Sequence, residues 1–290
     1  MLQRIEKIIF LSTIFFIISQ FGKHFWAQFS YISGIRVDYL SPTLYITDIF
    51  IGILFFIQIY KLIRLRRLSI NTSFFANPIL FLFLLIIGAS TLSALSFQAA
   101  LYGIVKAIEF FFFGWYVSKQ ITKETVPISV DILSAGAFIV SLLAIWQFAI
   151  QRSAGGLWYF LGERTFTPST IGIAIMNISG TSLLRPYATF PHPNVLAFFL
   201  FIVIVFIFTR ASFEKDRFEK FILILIAAFS SVALFTTFSR TVLVCYLVFL
   251  VWVVIKKIAK KKNFLLIPLL LFFIVYFYGM NYHKSLCGFR

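Results

Sequence analysis

The chain has 290 residues, of which 61% are hydrophobic, 12% are charged and 40 are phenylalanine. A soluble domain carries about a quarter charged residues, so this composition excludes an ordinary globule and points to a membrane protein. The formal charge of +16 does not by itself indicate nucleic acid, because basic residues beside apolar runs must first be placed relative to a bilayer.

Nine apolar runs are long enough to cross about 30 Å of hydrocarbon. They predict an all-α, polytopic membrane helical bundle forming a single membrane domain over residues 1–290. The first run, 6–22, follows a basic start as in a signal peptide. No small-x-small cleavage site follows it, so it reads as a retained span. A long connecting segment, 23–43, leads to the second run, 44–62. Asp48 lies one turn into that run, with an outer-face arginine such as Arg36 as its expected partner.

The third and fourth runs, 78–96 and 99–118, are joined by a tight turn at "LSFQ". Within "GIVKAIEFFFF", Lys106 and Glu109 lie three residues apart, share a helix face and are expected to pair inside the bundle. A structural ion pair and a role in substrate binding or proton transfer are both open there. The fifth run, 127–149, has Asp131 near its inner end. The segment 151–193 follows; it is rich in Gly, Ser, Thr and aromatics, contains no lysine, and is too apolar for a free linker. Such a segment folds onto the membrane surface or dips into the bundle, and loops of this kind carry binding residues. The last runs are 194–210, 220–238, 241–258 and 264–281, the seventh and eighth meeting at "TTFSRT".

Alternate loops face the same side of the membrane. Roughly two-thirds of the 26 lysines and arginines fall on the side of the N-terminus. They include Lys61, Arg64, Arg66 and Arg67, then Arg210, Lys215, Arg217 and Lys220, then the run "KKIAKKKN". The positive-inside rule then predicts a cytoplasmic N-terminus and an outer-face segment 151–193. The basic clusters read as anchors against an anionic leaflet, with no nucleic-acid partner. Cys245 and Cys287 fit no metal or redox spacing, and three histidines with few carboxylates give no metal site. No Walker loop or Ser-His-Asp signature is present, and neither metal nor cofactor is expected.

The polar residues gather on the outer face. In "LLRPYATFPHPN", Arg185 and His192 flank "PYATFP", and Asn194 follows Pro193 at the start of the sixth run. A proline at the first turn suits a helix start, whose free N–H groups and positive dipole face outward. Arg240 sits in the next outer turn. Two planar guanidinium forks at such a place suit a diphosphate, with His192 and Asn194 orienting the site. The plainer reading is that both arginines snorkel to headgroups and that Asn194 is a cap.

On "LLRPYATFPHPN" and, about 50 residues later, "FTTFSR", the chain resembles the O-antigen ligase and polymerase superfamily of bacterial envelopes. The stretches "FGKHFW", "GIRVDYLSPTLYITDI" and "LGERTF" look similar to one bacterial subgroup of it. The resemblance covers nearly all of residues 20–260. It implies transfer of a glycan from undecaprenyl diphosphate to a lipid or protein acceptor, on the outer face of the bacterial inner membrane. It also implies that Arg185 and Arg240 hold the diphosphate, without metal or nucleotide. The family's catalytic base is placed in a large outer loop that would begin near "NYHKSLCGFR". His283 matches no motif there, so the catalytic residue is left unassigned. The chain looks truncated before that loop, and an N-terminal portion that binds but transfers poorly is the corresponding expectation. The alternative is a lipid-linked glycan flippase or other transporter. Against it, no internal repeat is visible, and Lys106 and Glu109 are the only midplane charges.

Overall fold

The apolar runs become helices because a backbone in lipid must satisfy its own hydrogen bonds. The computed structural model describes residues 2–37, 40–65, 78–94, 96–178 and 180–261. The ninth predicted run, 264–281, together with Arg66, Arg67, His283 and Cys287, lies outside the described residues.

Each of the other eight runs contains a helix, the first ending at Phe16, six residues short of its run: α1 (Leu2–Phe16), α2 (Ile46–Leu65), α3 (Pro78–Leu92), α4 (Phe97–Gln120), α5 (Thr125–Ile150), α6 (Pro193–Phe213), α7 (Arg217–Thr236) and α8 (Arg240–Lys261). Five of them, α2, α4, α5, α6 and α7, are long and apolar enough to cross a bilayer by length and composition. The chain thus carries the signature of a multi-pass membrane protein.

The connecting segments 23–43 and 151–193 hold structure that hydropathy does not signal. Three two-stranded antiparallel ribbons lie in them or at their edges. The first pairs β1 (Gly22–His24) with β4 (Thr43–Tyr45), the second β2 (Tyr31–Ile32) with β3 (Ile35–Arg36), and the third β5 (Ile175–Ile178) with β6 (Thr181–Leu184). Gly180, at φ 86°, makes the last turn in a region few side chains accept.

Two compact units divide the chain. The first comprises Met1–Gly136, Ser153–Thr165 and Thr189–Pro191. Its core is Phe10, Ile14, Leu54 and Tyr116, from α1, α2 and α4. A buried carboxylate ties the same three helices. Glu6 accepts from Gln58 Nε2 (2.6 Å) and Tyr116 Oη (3.1 Å) and pairs with Lys61. Asp48 does not wait for an outer-face arginine. It pairs with Lys106, which also reaches Glu109 at 3.0 Å, so the expected pair is a triad. A short acid one turn into α2 lies level with the Lys106 stem on α4, and a full ion pair at this depth is cheaper than a lone charge. The Arg36 side chain lies outside what the structure describes.

The second unit comprises Ala137–Arg152, Phe166–Ala188 and His192–Arg290. Its central helix is α6, which buries Leu196, Ala197, Leu200, Val203, Ile204, Ile207 and Ala211, a stripe at three- and four-residue spacing. Small residues on α7, Ala227, Ser230 and Ala233, are buried as well; small side chains let membrane helices approach closely. Phe249 of α8 packs edge-on against Phe201 and Phe208 of α6. The turn between α6 and α7 is fixed by Glu214, which accepts from the N–H groups of Lys215 (2.8 Å) and Asp216 (2.9 Å) and pairs with Arg210. The Asp216 N–H and then Arg210 push the Glu214 carboxyl down to about 2. Asp216 in turn caps α7 by accepting from Glu219 N–H at 2.8 Å.

Candidate anion site at the start of helix 6

Arg185 is delivered by the β5–β6 hairpin. Phe166, Leu184 and Tyr187 form a small buried cluster under it. The Tyr187 hydroxyl accepts from Ala174 N–H at 2.8 Å, and Arg185 N–H donates to Ala174 O at 3.1 Å. Two glutamines hold this assembly, Gln147 in the last turn of α5 and Gln151 just past its end. Gln151 Oε1 accepts from Leu184 N–H at 2.6 Å. Gln147 is fully buried; its Oε1 accepts from the N–H groups of Tyr187 (3.0 Å) and Ala188 (2.7 Å), and its Nε2 donates to Ala188 O (3.1 Å). Ala188 sits at φ 49°. That conformation costs of order 1–3 kcal/mol unless the surroundings impose it, and the Gln147 amide satisfies its backbone on both sides.

The guanidinium of Arg185 is fixed by two bonds. Nε donates to Thr237 O at 2.6 Å and Nη2 donates to Asn194 Oδ1 at 2.5 Å. Thr237 O is among the carbonyls left over at the end of α7, so the contact satisfies an orphan acceptor and sets a cation at the negative end of that helix dipole. A guanidinium has five N–H donors. Three of them, two on Nη1 and one on Nη2, make no hydrogen bond among the described residues.

His192 is the N-cap of α6, with Nδ1 accepting from Asn194 N–H at 3.1 Å. That bond requires a neutral ring with its proton on Nε2. Burial, and then the charge of Arg185, hold the imidazole below its ordinary range. Burial foremost, and the charge of Arg240, likewise lower Arg185. Arg240 opens α8 after a three-residue turn in which Phe238 takes φ 51°. It is exposed, and it makes no hydrogen bond or ion pair to any described residue.

The four residues named from sequence therefore stand together at one end of α6, α7 and α8, with altered roles. The start of α6 does not offer free N–H groups as expected. Asn194 N–H is taken by the His192 ring, and the N–H groups of Val195 and Leu196 by His192 O at 3.0 and 3.2 Å. The cap is His192, while Asn194 holds Arg185. What this end of α6 presents is guanidinium, backed by the positive end of the α6 dipole. Sequence reading missed Gln147 and Gln151. Two amides four residues apart in "WQFAIQ", in an otherwise apolar helix, were their only sign, since a buried amide in lipid needs partners.

Among the described residues, no group of three His, Cys, Asp or Glu side chains is placed to hold a metal ion. No family model, no curated protein and no solved structure matches the chain.

Proposed function

We propose that the chain binds the diphosphate of a polyprenyl-linked glycan at Arg185 and Arg240. Its role is that of a glycan transferase of the O-antigen ligase or polymerase type, in the bacterial inner membrane. The observation that carries this reading is the state of Arg185: a guanidinium locked by a helix-end carbonyl and an asparagine, with donors still open and a second arginine beside it. Such an arrangement is preorganised for a dianionic oxygen cluster, because the Arg185 fork is already oriented and loses little further ordering entropy on binding. A leaving diphosphate gains charge as its bond to the sugar breaks, and fixed cations stabilise that charge. Snorkelling anchors would instead reach freely to headgroups.

The reading predicts an affinity series for a short-chain isoprenyl diphosphate titrated into the purified chain in detergent. Arg240→Ala should weaken binding about two- to fivefold, the scale of one solvent-exposed charge contact. Asn194→Ala should also weaken it, although no charge is removed, because Arg185 loses its tether. Equal affinity in wild type and both variants would leave interfacial anchors beside a helix cap.

The proposal includes nine spans with the N-terminus in the cytoplasm, which puts this end of α6 on the outer face. A membrane-impermeant thiol reagent, used on a variant lacking the native cysteines, should label Ser169→Cys from outside and Ser212→Cys only after lysis. The opposite pattern would remove the outer-face assignment.

A further inference from the structure

The first unit contains a cavity of about 240 Å³ that the arginine site does not use. Gln20, His24, Tyr45, Tyr102, Arg164 and Pro191 are on its wall. We infer that this cavity is a binding site for a single neutral sugar ring.

The wall is built rather than incidental. Tyr102 Oη accepts from Thr43 N–H at 3.1 Å and donates to Thr43 O at 3.0 Å, pinning α4 to β4. Gly162 closes another side against the backbone of Gln20. It has φ 91°, and a Cβ placed there would stand 2.3 Å from Gln20 C. Only glycine permits that approach. The volume falls below the roughly 300–1,000 Å³ of pockets for drug-sized ligands, which limits the occupant to about one ring.

The exposed chemistry selects a polyol. His24 Nδ1 lies 2.8 Å from both Ser41 Oγ and Thr43 Oγ1. Thr43 Oγ1 also lies 3.1 Å from Ser41 O. With Nδ1 occupied by these hydroxyls, Nε2 is the ring nitrogen left for a ligand, as the acceptor in one tautomer and the donor in the other. The Gln20 amide, both donor and acceptor, makes no hydrogen bond among the described residues. Groups of both kinds match hydroxyls, which donate and accept, whereas a bare anion needs donors only. Aromatic faces accompany them: Tyr45 and Tyr102 line the cavity, and Trp26 stacks on His24 at 5.3 Å. The local charge is already used. Lys106 Nζ, 5.6 Å from the Tyr45 ring, is held by Asp48 and Glu109, and Arg164 has an interaction of its own. A neutral ligand therefore fits better than a phosphate.

This inference deepens the glycan reading but stands on the cavity's own groups. The test is saturation-transfer NMR on the full chain in detergent, with methyl α-glucopyranoside, methyl α-galactopyranoside and methyl N-acetyl-α-glucosaminide as probes, and phosphorus-31 line broadening of inorganic phosphate as a separate arm. At least one glycoside should bind with a Kd of about 1 mM, as expected for a ligand of this size. Gln20→Leu should weaken it about threefold to tenfold, the effect of one lost hydrogen bond, and His24→Phe likewise. Thermal midpoints show whether each variant is folded; should His24→Phe fail to fold, Gln20→Leu alone decides. Absence of glycoside binding, binding unchanged in the folded variants, or saturation by phosphate alone would each overturn the assignment. Isoprenyl diphosphate binding and its response to Arg240→Ala are read separately, so failure of one reading is distinguishable from failure of the other.

Discussion

His192 shows how far a residue's type can be read and where reading stops. A histidine following an arginine at a helix start was recognisable in "LLRPYATFPHPN", and so was the neighbouring cap position. Which of the two polar residues caps the helix was not, because Asn and His can both supply an acceptor there and only the backbone path decides. The assignment has a consequence in pH. Burial and Arg185 lower the folded imidazole below its ordinary value, so the unfolded chain takes up the proton first. The cap's contribution is complete above the unfolded pKa of about 6.5 and is lost as pH falls through the folded value. N-caps contribute about 0.5–2 kcal/mol. Wild type should therefore lose about 1 kcal/mol on acidification through that window. His192→Asn, whose amide caps without titrating, should not share the loss. Unfolding midpoints of the two proteins across pH measure this; parallel curves would show that the ring nitrogen does not support the helix.

At the scale of elements, helices were legible and ribbons were not. Each of the eight described helices overlaps a run predicted from hydropathy, because the cost of an unsatisfied backbone in lipid forces long apolar stretches into one form. The tight turn at "TTFSRT" was legible for the same reason. The β5–β6 hairpin gave no such signal. Its strands are four residues each, and their stability comes from tertiary partners, chiefly Gln147 of α5 and Gln151 just after it, rather than from alternation. Gln147→Leu tests that dependence. It deletes three hydrogen bonds and orphans two buried N–H groups, a loss of about 2–4 kcal/mol. Denaturation in detergent should show the destabilisation, and isoprenyl diphosphate affinity should fall with it, since Arg185 rides on the hairpin. A stability loss below about 1 kcal/mol would mean that the hairpin holds its place without the amide clamp.

For the molecule as a whole, composition alone was enough to assign the solvent, because a chain with so few charged residues cannot cover itself in water. Partner choices across the bundle were less legible: Asp48 lies 58 residues from Lys106, and nothing in the spacing marks that pair. The convergence of Arg185 with Arg240, 55 positions apart by their numbering, followed from topology, since both precede helices starting at one membrane face. That convergence carries the functional account. The most direct test is a photoreactive isoprenyl diphosphate added to the full chain, with the labelled peptides identified by mass spectrometry. The account predicts labelling within residues 185–194 and 237–243, suppressed by excess unlabelled isoprenyl diphosphate and reduced in Arg240→Ala. Labelling confined to other segments, or labelling there that excess ligand does not suppress, would contradict it.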